Sequence, residues 1–123
     1  MATIYHALTQ HKWEGGTISS LPLDPTTKNI LYDGNNREYI IYVPQTYSPS
    51  ILTPILFALH GGSGYANDFM NYEADFRSIA DTSGFILIYP QALEDPETGY
   101  TSWLHKEPTD HDDIFFIEAI IDD

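Results

Sequence analysis

Cysteine is missing from all 123 residues, which excludes disulfide frameworks, thiolate metal sites and a cysteine nucleophile, and leaves the redox compartment open. Basic residues are scarce: 5 lysines and arginines stand against 18 aspartates and glutamates, a formal net charge of -13. Such a surface repels nucleic acid and anionic membranes, so neither is expected as a partner. No apolar run approaches the ~20 residues of a spanning helix. The opening Met1-Ala2-Thr3-Ile4-Tyr5-His6 has no basic segment followed by an apolar core, so no secretory signal is visible. Internal repeats and low-complexity tracts are lacking too. No serine has glycine both two residues before and two residues after it, which excludes a Gly-x-Ser-x-Gly turn.

What is there suffices for one modest core, with 42% hydrophobic and 14% aromatic residues. Residues 1–27 lack steady periodicity and carry Gly15-Gly16, Pro22 and Pro25, predicting an irregular lead-in. Residues 28–32 and 37–43 are rich in Ile, Tyr, Leu and Val around Asp33-Gly34-Asn35-Asn36, which predicts a β-hairpin with a four-residue turn. Tyr39 and Tyr42, three apart, are expected on opposite faces. The apolar runs 55–59 and 85–89 read as strands buried on both faces, the second closed by Pro90. Between them Phe69, Tyr72, Phe76, Ile79 and Ala80 recur at steps of three and four. That spacing predicts one amphipathic helix, capped by Asn67 or Asp68 and ended by Gly84 in the left-handed conformation. Residues 91–111 form a long polar connection with one aromatic anchor, Trp103. A last helix opens at Asp112 or Asp113, with Ile114, Ile117, Ile120 and Ile121 along one face. The acidic residues that gather after Glu94 read as a solvated surface.

The words Arg37-Glu38-Tyr39-Ile40-Ile41-Tyr42-Val43-Pro44, Leu59-His60-Gly61-Gly62, Gly84-Phe85-Ile86-Leu87-Ile88-Tyr89-Pro90, Ser102-Trp103 and Asp112-Asp113-Ile114-Phe115-Phe116-Ile117 follow one another in this order. They resemble successive motifs of the polyhydroxybutyrate depolymerase and feruloyl esterase group of α/β-hydrolases. Two positions depart from that group's wording: Leu104 stands where asparagine commonly follows Ser-Trp, and Phe115 where glycine commonly follows the Asp-Asp-aliphatic triplet. The resemblance implies an α/β class and, within it, an incomplete α/β-hydrolase fold: an N-terminal β-hairpin, a parallel strand–helix–strand unit and a final helix. The strand carrying the nucleophilic serine, and the later acid and histidine, would lie outside this chain. Residues 28–123 are then expected to be the N-terminal portion of an α/β-hydrolase domain, inactive alone. The strand at 55–59 would be flanked by that at 85–89 on one side and left open on the other, an edge that invites self-association.

On the same reading the backbone amides of Gly61 and Gly62, with Ser63 as a third, would hydrogen-bond the oxyanion of a tetrahedral ester intermediate. Ser63 and Trp103 are candidates for touching substrate, while His60, Asp112 and Asp113 are expected to support the structure. The complete enzyme would act on a polyester or acyl ester, without a cofactor, and the group resemblance suggests an extracellular setting. His105, Asp110, His111, Asp112 and Asp113 match no defined metal-ligand spacing, so no metal is expected. A different class also fits the residues: a small module whose glycine loop opens a helix and receives an anion or nucleotide, although the lysine of a P-loop is lacking. A further alternative is one half of a hydrolase completed by a separate chain or by self-association.

Overall fold

The computed structural model describes residues 24–103 and 113–123. β1 (Thr26–Tyr32) and β2 (Asn35–Tyr42) pair antiparallel with Tyr32 opposite Asn35, so the turn is Asp33-Gly34 alone. Both turn residues have positive φ, 51° and 75°, as a two-residue turn matching the strand twist requires. The expected four-residue turn is therefore shorter, and Asn36 instead belongs to β2, where its Nδ2 donates to Asn29 Oδ1 across the hairpin at 3.2 Å. β1 begins at Thr26, so it takes in the end of the stretch expected to be irregular; residues 1–23 lie outside the described residues.

β2 pairs antiparallel with β4 (Ile86–Pro90), and β4 pairs parallel with β3 (Ile55–Phe57), giving a mixed sheet ordered β1-β2-β4-β3. Alternation along β2 sends Tyr39, Ile41 and Val43 to one face, where Ile86, Ile88, Phe116 and Ile120 meet them. Ile40 and Tyr42 go to the other face, with Leu87, Tyr89, Met70 and Ala80. The two tyrosines thus sit on opposite faces, as a period of two demands. Each hydroxyl finds a carboxylate: Tyr39 donates to Asp123 Oδ2 at 2.6 Å and Tyr42 to Asp81 Oδ2 at 2.8 Å. With helices packed on both faces of a mixed sheet, the arrangement is α/β.

The two apolar runs do not share one fate. Every residue of β4 is buried, whereas β3 is three residues long and Leu56 is 40% exposed. The expectation of burial on both faces fails for the first run because β3 pairs on one side only among the described residues.

The single helix expected over 69–80 is divided. A three-residue helix, α1 (Ala66–Asp68), runs into a π-helical turn (Phe69–Glu73), and α2 (Arg77–Ser83) follows after a break. The wide turn closes with Ala74 N–H donating to Phe69 O at 2.7 Å, which shifts the helical phase by a residue. Met70 is consequently buried, while Tyr72 and Ile79 face outward. The buried Tyr89 hydroxyl fills the break, donating to Ala74 O and accepting from Phe76 N at 3.2 Å, so these backbone groups are satisfied by a neighbouring strand. Neither Asn67 nor Asp68 caps α1, whose N-cap Tyr65 makes no side-chain cap bond. Gly84 takes the left-handed conformation at φ 75°, and its N–H reaches back to Ala80 O.

The last helix, α3 (Asp113–Asp122), buries Asp113, Phe116, Ile120 and Ile121, with Ile117 half-buried. Ile114, expected on the apolar face, is exposed, as is Phe115, because the buried stripe runs 113, 116, 117, 120, 121. An aspartate can head that stripe because Arg37 faces it from β2, Nη2 to Oδ1 at 2.8 Å. Arg37 also donates to Gln91 O at 3.2 Å and lies over the Phe116 ring at 3.7 Å. Removing one partner of a buried pair strands the other, so this contact anchors α3 to the sheet.

Candidate functional site

β3 and β4 both deliver their carboxyl ends to one edge of the sheet, where open α/β sheets gather their functional groups. The chain leaves β3 through Ala58, whose N–H donates to Ile88 O at 2.9 Å, and enters the loop His60-Gly61-Gly62-Ser63-Gly64. Gly64 N–H donates to Gly61 O at 3.1 Å, closing a tight turn in which Ser63 takes φ 65°. That conformation is sparsely populated for a residue with a side chain. Ser63 is held in it by its own N–H, which donates to Thr101 O at 2.9 Å. The expected third oxyanion donor is thereby committed to the main chain.

Gly61 and Gly62 differ. Both are exposed, neither has a positive φ, and neither amide donates to an acceptor among the described residues. A methyl group built on either meets nothing within 4 Å. The missing side chains therefore serve open space above the amides and not a special backbone conformation. The glycine that packing requires is Gly64, where an added Cβ would stand 2.9 Å from Gly61 O and 3.2 Å from His60 Nδ1.

His60 is 3% exposed and its ring spans the base of the loop. Nδ1 lies 2.7 Å from Gly61 O, and Nε2 accepts the Ala92 N–H at 3.1 Å. A carbonyl can only accept and a backbone N–H can only donate, so the proton sits on Nδ1 and the ring is neutral in this network. No ring nitrogen is turned to the solvent side as a free base. Trp103 donates from Nε1 to His60 O at 2.7 Å, with the rings 4.9 Å apart. Its indole N–H is thus engaged in the scaffold. Asp113 is equally engaged, with Arg37. Asp112, like His105, Asp110, His111 and Leu104, lies outside the described residues.

Gln91, absent from the sequence-based set, joins both ends of the loop. Its Oε1 accepts the Ala66 N–H at 2.7 Å, and its Nε2 faces His60 Nε2 at 3.2 Å and Ala92 O at 3.1 Å. The readable signal is its position, the first polar residue after the apolar run of β4. Thr101, also missed, clamps the loop from a small hairpin of β5 (Leu93–Glu94) and β6 (Thr101–Ser102) inside the long polar connection. Its Oγ1 donates to Gly64 O at 2.7 Å. The anion-binding alternative loses its helix terminus here: α1 has one short turn, and its first amide is already taken by Gln91.

A cleft of about 510 Å³ opens beside the loop, lined by Arg37, Tyr65, Asn67, Gln91, Leu93 and Thr101 among others. Gly61, Gly62 and Ser63 are not in its wall, and all three are exposed.

No family profile and no curated protein sequence matches this chain. A solved structure of a serine-to-alanine mutant of the esterase rPPE, complexed with (S)-Ac-CPA, is similar to it over 77% of this chain and 36% of that one, with 17% identity and a TM-score of 0.44. The chain thus spans about a third of the length of that structure.

Proposed function

We propose that this chain carries the oxyanion-binding part of a serine carboxylic-ester hydrolase, with the attacking hydroxyl supplied by polypeptide outside these 123 residues. The observation that carries the reading is the pair of amides at the exposed Gly61 and Gly62, which have no acceptor among the described residues, just beyond the carboxyl end of the parallel strand β3. A developing oxyanion needs such donors fixed in advance, and losing one costs roughly 10²- to 10³-fold in rate. The motif order from Arg37 to Ile117 supports the reading, as does the edge of β3 that has no partner among the described residues, where a strand bearing a Gly-x-Ser-x-Gly turn would pair. Substrates would be polyesters or acyl esters, and no cofactor enters. Without the partnering strand, the same edge would draw copies of the chain together.

The test separates space from stability. The chain alone should not turn over p-nitrophenyl acetate; Ser63-dependent turnover by it, abolished in Ser63→Ala, would overturn the proposal. Joined to or coexpressed with polypeptide that supplies the serine strand, it should hydrolyse the ester. In that enzyme Gly62→Ala should lower turnover at least about tenfold by crowding the acyl oxygen, while leaving the melting temperature of the chain unchanged. Gly64→Ala, which meets Gly61 O at 2.9 Å, should lower the melting temperature instead. Full turnover by the Gly62→Ala enzyme would sink the assignment.

A further inference from the structure

Two successive peptide groups in the loop have their carbonyls held by side-chain N–H donors. Trp103 Nε1 holds His60 O at 2.7 Å, and His60 Nδ1 holds Gly61 O at 2.7 Å, with Gly64 N–H on the same oxygen at 3.1 Å. A trans peptide is planar, with its C=O and the following N–H pointing in opposite directions. Fixing His60 O toward the indole therefore aims the Gly61 N–H away from it, and fixing Gly61 O toward the imidazole aims the Gly62 N–H away from that ring. The two amides that result are the ones with no acceptor among the described residues.

We infer that Trp103 and His60 are positioning residues, each orienting one amide: Trp103 sets Gly61 and His60 sets Gly62. This rests on the proposed oxyanion role of those amides for its purpose, though its geometry stands without it. The devices are themselves anchored. The imidazole is locked in its Nδ1-protonated form by Ala92 N–H and Gln91 Nε2 on the opposite nitrogen, and the indole stacks 4.9 Å from the imidazole at a tilt of 36°. The separation matters because a generally loosened loop would release every amide, including that of Ser63, which has its own acceptor on Thr101.

The experiment reads amide order by ¹⁵N relaxation and N–H direction by residual dipolar couplings in the 123-residue chain. Trp103→Phe keeps an aromatic ring on His60 but removes the donor. It should drop the Gly61 order parameter from about 0.85 toward 0.6 and leave Ser63 and Ala66 unchanged. His60→Leu should loosen Gly62, and His60→Asn, whose Nδ2 can stand in for Nδ1, should restore it. If Trp103→Phe leaves Gly61 ordered in its original direction, or loosens Gly61, Ser63 and Ala66 alike, the inference is overturned; the same holds if His60→Asn fails to restore Gly62 where Leu loosens it. Ester turnover with the serine strand supplied then separates the two ideas. Selective loosening with kcat reduced up to about 10²-fold and KM unchanged supports both. Selective loosening with full kcat supports positioning and overturns the esterase reading.

Discussion

β3 and β4 are nearly the same strand in composition, Ile-Leu-Phe against Ile-Leu-Ile-Tyr-Pro, and they lie side by side in register with Leu56 opposite Leu87. Yet Leu87 is fully buried and Leu56 is 40% exposed. β4 has a strand on each side and a helical layer on each face; β3 has a neighbour on one side only among the described residues. An apolar run therefore specifies that a segment is a strand, while its rank within the sheet is decided by what lies beside it.

The largest effect should come from the covered flank. Asp113→Ala leaves Arg37, 3% exposed, without its carboxylate, and should cost about 3–5 kcal/mol in urea unfolding. Replacing both partners together with Met and Leu should cost less than the single change; an equal or greater loss would refute the pairing account. Next comes the matched pair in register. Leu87→Ala should destabilise by about 2–5 kcal/mol and Leu56→Ala by under ~1 kcal/mol. Equal losses would mean that β3 is as enclosed as β4 in solution.

The smallest effect concerns the face shared with α2. Burial, and then the hydrogen bond to Asp81, push the Tyr42 hydroxyl up from its ordinary 10.0 to about 12. A raised phenol ionises more readily in the unfolded chain, so its contribution is whole below pH 10.0 and is lost as pH climbs toward about 12. Stability measured across that window should fall less steeply in Tyr42→Phe; an unchanged slope would remove Tyr42 from the alkaline limb.

Much of this was readable locally. The hairpin, the two parallel strands, the left-handed Gly84 and the opposite faces of Tyr39 and Tyr42 follow from turn chemistry and from a period of two. The errors share a cause. Spacing alone predicts one helix over 69–80, but the Tyr89 hydroxyl from β4 enters it and satisfies Ala74 O and Phe76 N, which makes a break affordable. Apolar spacing alone places Ile114 inward, but the ion pair of Arg37 with Asp113 puts Asp113 at the head of the buried stripe and turns Ile114 out. At the candidate site, His60, Gly61 and Gly62 stand out as a word, whereas Thr101 carries no local signal and Gln91 only its place after β4, because their partner at Gly64 is 37 and 27 residues away.

Residue order alone determined the local alphabet: that these segments are strands joined by a turn at Asp33-Gly34, which glycines permit a loop, and that this chain contains no Gly-x-Ser-x-Gly nucleophile. Those traits depend on φ, side-chain period and the presence of particular atoms, all of which are properties of short segments. Tertiary structure alone decided which of the two parallel strands is flanked on both sides among the described residues, and which amides of the glycine loop are already bonded. Those depend on hydrogen bonds between groups far apart in the chain, such as Trp103 Nε1 to His60 O and Ser63 N–H to Thr101 O.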